Sequence, residues 1–136
     1  MAEEKQDEIR ILVVDDEMEF IDAVKELLEE RGYRVIYAND GIGALEIIKK
    51  SPPDLMLLDI VMPNMDGITL LKKLKEKEET KNIPVIMLTV KDGQINRNLG
   101  LVTGAYEYIS KPYDSVALLR QVRNILEKTG RLKTRI

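Results

Sequence analysis

LMLLDIVMPNMDG, residues 55–67, is the stretch that decides how this chain folds. Four apolar residues, Leu55 to Leu58, run straight into the carboxylate of Asp59, as a strand buried on both faces does where it surfaces at the end of a sheet. An ionisable group at that point is placed for chemistry. Asp59 as a helix cap is the plainer alternative, but Pro63 intervenes and Asp66-Gly67 makes a better helix start seven residues on.

Working outward, the same pattern repeats. Residues 9–14, IRILVV, are an apolar β-branched run ending in Asp15-Asp16-Glu17, and the helix that follows carries Phe20, Val24, Leu27 and Leu28 at helical spacing. Gly32 stops it, and residues 33–38, YRVIYA, read as a second strand. Asn39-Asp40-Gly41 offers a cap for a second helix with Ile42, Leu45 and Ile48 inward, ended by Ser51-Pro52-Pro53. Residues 54–58 are the third strand. A third helix over residues 67–77 turns Ile68, Leu71 and Leu74 inward and a run of lysines outward, which is most simply a solvated face. Residues 83–88, IPVIML, are the fourth strand, with the proline at its entrance. Residues 92–104 hold three glycines and two asparagines, so a fourth helix there is expected to be the least stable one. Residues 106–109 are a fifth strand, and Asp114 caps a last helix whose stripe is Val116, Leu119, Val122 and Leu126.

Five strands alternating with five helical segments predict an α/β fold: a five-stranded parallel sheet with helices on both faces and right-handed crossovers. The order 2-1-3-4-5, flavodoxin-like, suits five βα units of this size. Sites in such sheets gather at the carboxyl ends of the strands where the order reverses, here between strands 1 and 3. Those strands end at Asp15-Asp16 and at Asp59.

Composition narrows the chemistry. The 136 residues suit one domain, residues 9–128, with a polar extension over 1–8 and a basic tail over 129–136. There is no cysteine and no histidine, which removes disulfides, thiol catalysis, Ser-His-Asp triads and His- or Cys-ligated metals. A metal would be held by oxygen and would be a hard cation such as magnesium. A net charge of −3 argues against direct nucleic-acid binding, and no apolar run approaches the ~20 residues of a membrane span. The charged amino terminus is no signal peptide, so a cytoplasmic protein is expected.

Three carboxylates brought to one sheet edge repel. At ~4 Å each pair costs roughly 4 kcal/mol at an effective dielectric of about 20, so a cation must join them or a proton must. Thr89 and Lys111 end strands 4 and 5 on the same edge. Taken singly, each of these residues has an unremarkable explanation. Together, a metal cluster, a spare carboxylate, a hydroxyl and an ammonium are the parts needed to accept a phosphoryl group and hold its oxygens.

The chain resembles the receiver domain of a two-component response regulator from Ile9 to about Lys128. LVVDDE, LMLLDIVMPNMDG, VIMLT and YISKP occur in order, with 30 residues from Asp59 to Thr89 and 22 from there to Lys111. The resemblance implies that Asp59 is the phosphoacceptor, taking its group from the phosphohistidine of a sensor histidine kinase or a phosphotransfer protein. It implies magnesium, or manganese in its place, ligated by Asp16, Asp59 and the backbone carbonyl of Val61, with Asp15 acting mainly through a water. Lys111 would pair with the phosphoryl oxygens, Thr89 would hydrogen-bond them, and Tyr108 would turn inward as Thr89 moves. The face of the fourth helix, fifth strand and fifth helix would report the change to a partner or output domain, and the domain would catalyse only its own phosphorylation and dephosphorylation.

Val90 follows Thr89 where the family commonly has a small residue, and is expected to prolong the phosphoryl state. Two other classes fit less well. A haloacid-dehalogenase-type phosphatase wants a second acid at position 61, which is valine. A flavodoxin-like electron carrier needs a Ser-, Thr- and Gly-rich loop after the first strand, and that loop is acidic here. Residues 129–136 are expected to be a solvated end or the start of a linker to a longer regulator.

Overall fold

In the computed structural model, residues 9–62, 65–90, 104–111 and 113–132 are described, residues 89 and 90 by their backbone alone. Five strands, β1 (Arg10–Val14), β2 (Arg34–Ala38), β3 (Leu55–Asp59), β4 (Val85–Val90) and β5 (Glu107–Lys111), pair in parallel in the order β2-β1-β3-β4-β5, as the βα alternation predicts. The described helices are α1 (Met18–Glu29), α2 (Gly41–Lys50), α3 (Gly67–Lys75) and α4 (Ser115–Lys128), the last being the fifth helical segment expected from the sequence. The expected helix over 92–104 lies outside the described residues.

Alternation along the strands builds two cores. Ile11, Val13, Leu55, Leu57, Ile86 and Leu88 pack on one face with Ile21, Val24 and Leu28 of α1 and Leu118, Val122, Ile125 and Leu126 of α4. Leu12, Val14, Met56, Leu58 and Met87 pack on the other with Ala44 and Ile48 of α2 and Leu70, Leu71 and Leu74 of α3. Both faces of β3 are covered, which is why its sequence is continuously apolar. Asp40, Asp66 and Asp114 cap their helices as expected, accepting from the backbone N–H of Gly43, Thr69 and Val116.

Several expectations shift. The fourth strand reaches Val90, two residues beyond the predicted end, so Thr89 lies inside the hydrogen-bonded ladder opposite Ser110. The third strand likewise includes Asp59, paired with Leu88. Ile42 and Val116, predicted inward, are exposed in the first turns of α2 and α4, while Ile21, Leu70, Leu118 and Ile125 take buried positions the predicted stripes did not assign.

The start of the basic tail is docked rather than solvated. Leu132 is buried in the α1–α4 core, and Arg131 donates to the carbonyl of Asn82 at 3.3 Å. Leu132→Ala is therefore expected to destabilise the domain by about 2–3 kcal/mol, read as a lowered urea midpoint.

Candidate functional site

The register sets Val14 opposite Leu58, so Asp15 and Asp59, one step further, leave the sheet side by side at the point where strand order reverses. Asp15 is 0% and Asp59 6% exposed, whereas Asp16 on the turn faces solvent. One carboxylate oxygen from each of the three lies within 4.8 Å of the others. The predicted acidic cluster is thus assembled, two of its members deep in the fold.

Lys111, the last residue of β5, reaches across to it. Its ammonium donates to one oxygen of Asp15 at 2.7 Å and to Glu17 at 3.3 Å, and stands 3.8 Å from the Asp59 carboxylate. The other Asp15 oxygen accepts the backbone N–H of Glu17 at 2.9 Å. Lys111 also lies over the ring of Phe20, 4.3 Å from its centroid, and Phe20 meets Tyr113 edge-on at 5.5 Å.

The electrostatics are unbalanced. Burial, then the charge of Asp15, push the Asp59 carboxyl up to about 6, against the pull of Lys111 and a hydrogen bond from the Val61 N–H. Burial likewise raises Asp15 despite its bonds to Lys111 and Glu17. For Lys111 burial works the other way, yet the hydrogen bond to Asp15 and the charges of Asp59 and Asp15 outweigh it and hold the ammonium above its ordinary value. Four acids, Asp15, Asp16, Glu17 and Asp59, share one described cation.

A hard divalent ion fits this donor set. One oxygen from each of three carboxylates gathers within 4.8 Å of the others, and all of these donors are the hard oxygens that such an ion takes. The ion's charge would also offset the burial and the Asp15 repulsion that raise Asp59.

Residues 11–123 match the family described as response regulator receiver domain. The chain belongs to that family. It is the receiver domain of a two-component response regulator, a signalling domain. It is 43% identical over 120 residues to the transcriptional regulatory protein CpxR of Escherichia coli K12, covering 88% of this chain and 50% of that protein. It is 41% identical to the response regulator PleD of Caulobacter vibrioides, over 85% of this chain and 26% of PleD. The chain spans about half the length of CpxR and about a quarter of PleD. The receiver domain of a Francisella response regulator superposes with a TM-score of 0.81 at 34% identity, covering 89% of this chain and 98% of that one.

Within the receiver domain, Asp15, Asp16, Asp59 and Lys111 converge as the sequence predicts. Val61 sits exposed at the rim with its N–H turned to Asp59. Tyr108 is 9% exposed and packs in the α2–α3 core, on the opposite face of the sheet from Phe20. The Thr89 side chain lies outside the described residues, and its register places it one step beyond the Leu88 that pairs with Asp59. Two neighbours of Lys111 were not assigned to the site from sequence. Glu17 read as part of an acidic turn and Phe20 as part of a helix stripe, and only the 91-residue jump from Phe20 to Lys111 gives that ring another role. Among the described residues no helix is long and apolar enough to cross a membrane.

Proposed function

We propose that Asp59 accepts a phosphoryl group from the phosphohistidine of a sensor histidine kinase or phosphotransfer protein. The observation that carries this reading is the convergence of Asp15, Asp16 and Asp59 with the Lys111 ammonium at one point of the sheet edge. A carboxylate oxygen of Asp59 attacks phosphorus. The P–N bond breaks, its electron pair leaves with the imidazole nitrogen, and that nitrogen takes up a proton. The products are an aspartyl phosphate and a free histidine.

Magnesium, or manganese as a second hard cation, would supply charge neutralisation for the phosphoryl oxygens. Asp16, Asp59 and the Val61 carbonyl would hold it, with Asp15 acting mainly through a water. Lys111 needs only a short swing from Asp15 to meet the phosphoryl group, since it already stands 3.8 Å from the acceptor. Thr89 would donate its hydroxyl to the same group, and Tyr108 would secure the resulting arrangement of the β4 and β5 ends. The face of residues 92–104, β5 and α4 would carry that change to a separate output partner or domain. The kinase's phosphohistidine would be met in the cytoplasm, and the domain itself would neither bind nucleic acid directly nor insert into a membrane.

Incubation with magnesium and acetyl phosphate is expected to add about 80 Da, one phosphoryl group, to the intact mass. Borohydride reduction should then leave homoserine at position 59. A phosphoryl group recovered on another residue, or uptake indifferent to a chelator, would sink the assignment. In the same assay Val90→Ala is expected to shorten the phosphoryl lifetime about fivefold, the equivalent of ~1 kcal/mol of barrier, by opening the site to water. An unchanged lifetime would remove Val90 from that role.

A further inference from the structure

Lys111 is held on two sides. On one side are acids: Asp15 at 2.7 Å and Glu17 at 3.3 Å. On the other is the half-buried ring of Phe20, with the ammonium 4.3 Å from its centroid. Phe20 is itself braced, because Tyr113 abuts it at an interplanar angle of 86° and both rings pack against the α1–α4 core. Phe20, Lys111 and Tyr113 therefore come from α1, the end of β5 and the approach to α4 and meet beside the acceptor.

We propose that Phe20 is a positioning residue for phosphoryl transfer, its ring face serving as the surface on which the Lys111 ammonium moves from Asp15 toward the group on Asp59. This deepens the reading of Lys111 given above and rests on it. The physical reason lies in the partner change. Hydrogen bonds to Asp15 and Glu17 are directional and must be given up as Nζ turns to the phosphoryl oxygens. The attraction of a ring quadrupole for a cation over its face asks for no particular N–H direction. The ring can thus keep attracting the ammonium while its hydrogen-bond partners change, starting from a position already 4.3 Å from the ring centroid and 3.8 Å from Asp59. A purely packing role is the competing explanation, and leucine separates the two, keeping an apolar side chain without the π face.

The test is a double-substitution cycle at positions 20 and 111, read as the rate of magnesium-dependent phosphorylation by acetyl phosphate. Phe20→Leu is expected to slow uptake about three- to fivefold, and Phe20→Tyr to restore it to within about twofold. In a Lys111→Ala background Phe20→Leu should have no further effect. Proton NMR gives a readout that needs neither ion nor turnover: the Lys111 ε-methylene is expected upfield of its ordinary position, because the ammonium lies over the ring, and should return toward that position in Phe20→Leu. Equal slowing by Phe20→Leu with and without Lys111, or an ε-methylene that Phe20→Leu leaves in place, would overturn the positioning role while leaving Lys111 in the mechanism. If Lys111→Ala alone left the rate unchanged, the reading of Lys111 would fall, and the role of Phe20 with it.

Discussion

Asparagine in place of Asp59 is expected to give a domain that takes up no phosphoryl group and is roughly 3 kcal/mol more stable at pH 7 than the parent in the presence of a chelator. The loss of uptake follows from removing the attacking oxygen. The gain in stability follows from what the folded chain does to that oxygen. Burial and the neighbouring charge of Asp15 push the Asp59 carboxyl up to about 6 in the fold, from the ordinary aspartate value of 3.8. Between those values the native state binds more protons than the unfolded chain, so stability falls as pH rises through the window. By pH 7 the full cost of holding the charged form has accrued. The advantage of Asp59→Asn should accordingly shrink to about 1 kcal/mol at pH 4.5, where the parent carboxyl is protonated in the fold. Added magnesium should narrow the gap from the other side, by stabilising the parent more than the variant. Urea unfolding at the two pH values, with and without the ion, measures all of this. A variant no more stable than the parent at pH 7 under chelation would show that the site is not electrostatically strained.

That strain explains how much of the site was legible in the sequence. Carboxylates at the ends of two apolar runs can be placed on one sheet edge from the βα alternation alone, because strand order follows from the short connections. The strand ends were read short for the same reason. Hydropathy falls at Asp59 and Thr89, where the polar chemistry begins, but the backbone ladder continues through both. Helix phase was harder. Ile42 and Val116 fit a three-residue spacing, yet each lies on the exposed side of its first turn, and the burial passes to Ala44, Leu118 and Ile125. Lys111 was legible as a member of the site. Its partners Glu17 and Phe20 were not, since nothing local distinguishes a ring that faces a distant ammonium from one that fills a core. Leu132 escaped because three basic residues around it dominate the composition of the tail, and burial of one side chain leaves no periodic trace.

Gly67 carries the other large effect, and its reason is likewise invisible in the sequence. It reads as the residue after a helix cap, and it is the first residue of α3, donating its N–H to the Ile60 carbonyl at 2.8 Å. That bond draws α3 so close to the end of β3 that a Cβ at position 67 would overlap the Asp59 carbonyl oxygen and lie 2.9 Å from the Ile60 Cα. Both obstacles are backbone, so no rotamer change relieves them. Either α3 withdraws or the acceptor's own peptide moves. Gly67→Ala is therefore expected to cost about 3 kcal/mol or more, at the upper end for added volume in a packed site, and to slow phosphoryl uptake in whatever fraction still folds. Gly41 supplies the control. It too is buried and opens a helix, but the nearest atoms a Cβ there would meet all belong to the Met65 side chain, Sδ at 2.9 Å, Cβ at 3.2 Å and Cγ at 3.3 Å, rather than to backbone. Gly41→Ala should cost clearly less, about 1–2 kcal/mol, since a methionine side chain can shift by a few tenths of an ångström where backbone cannot, and alanine favours the helix. Equal urea midpoints for the two variants would mean that the approach of α3 to Asp59 is not the constraint that keeps glycine at position 67.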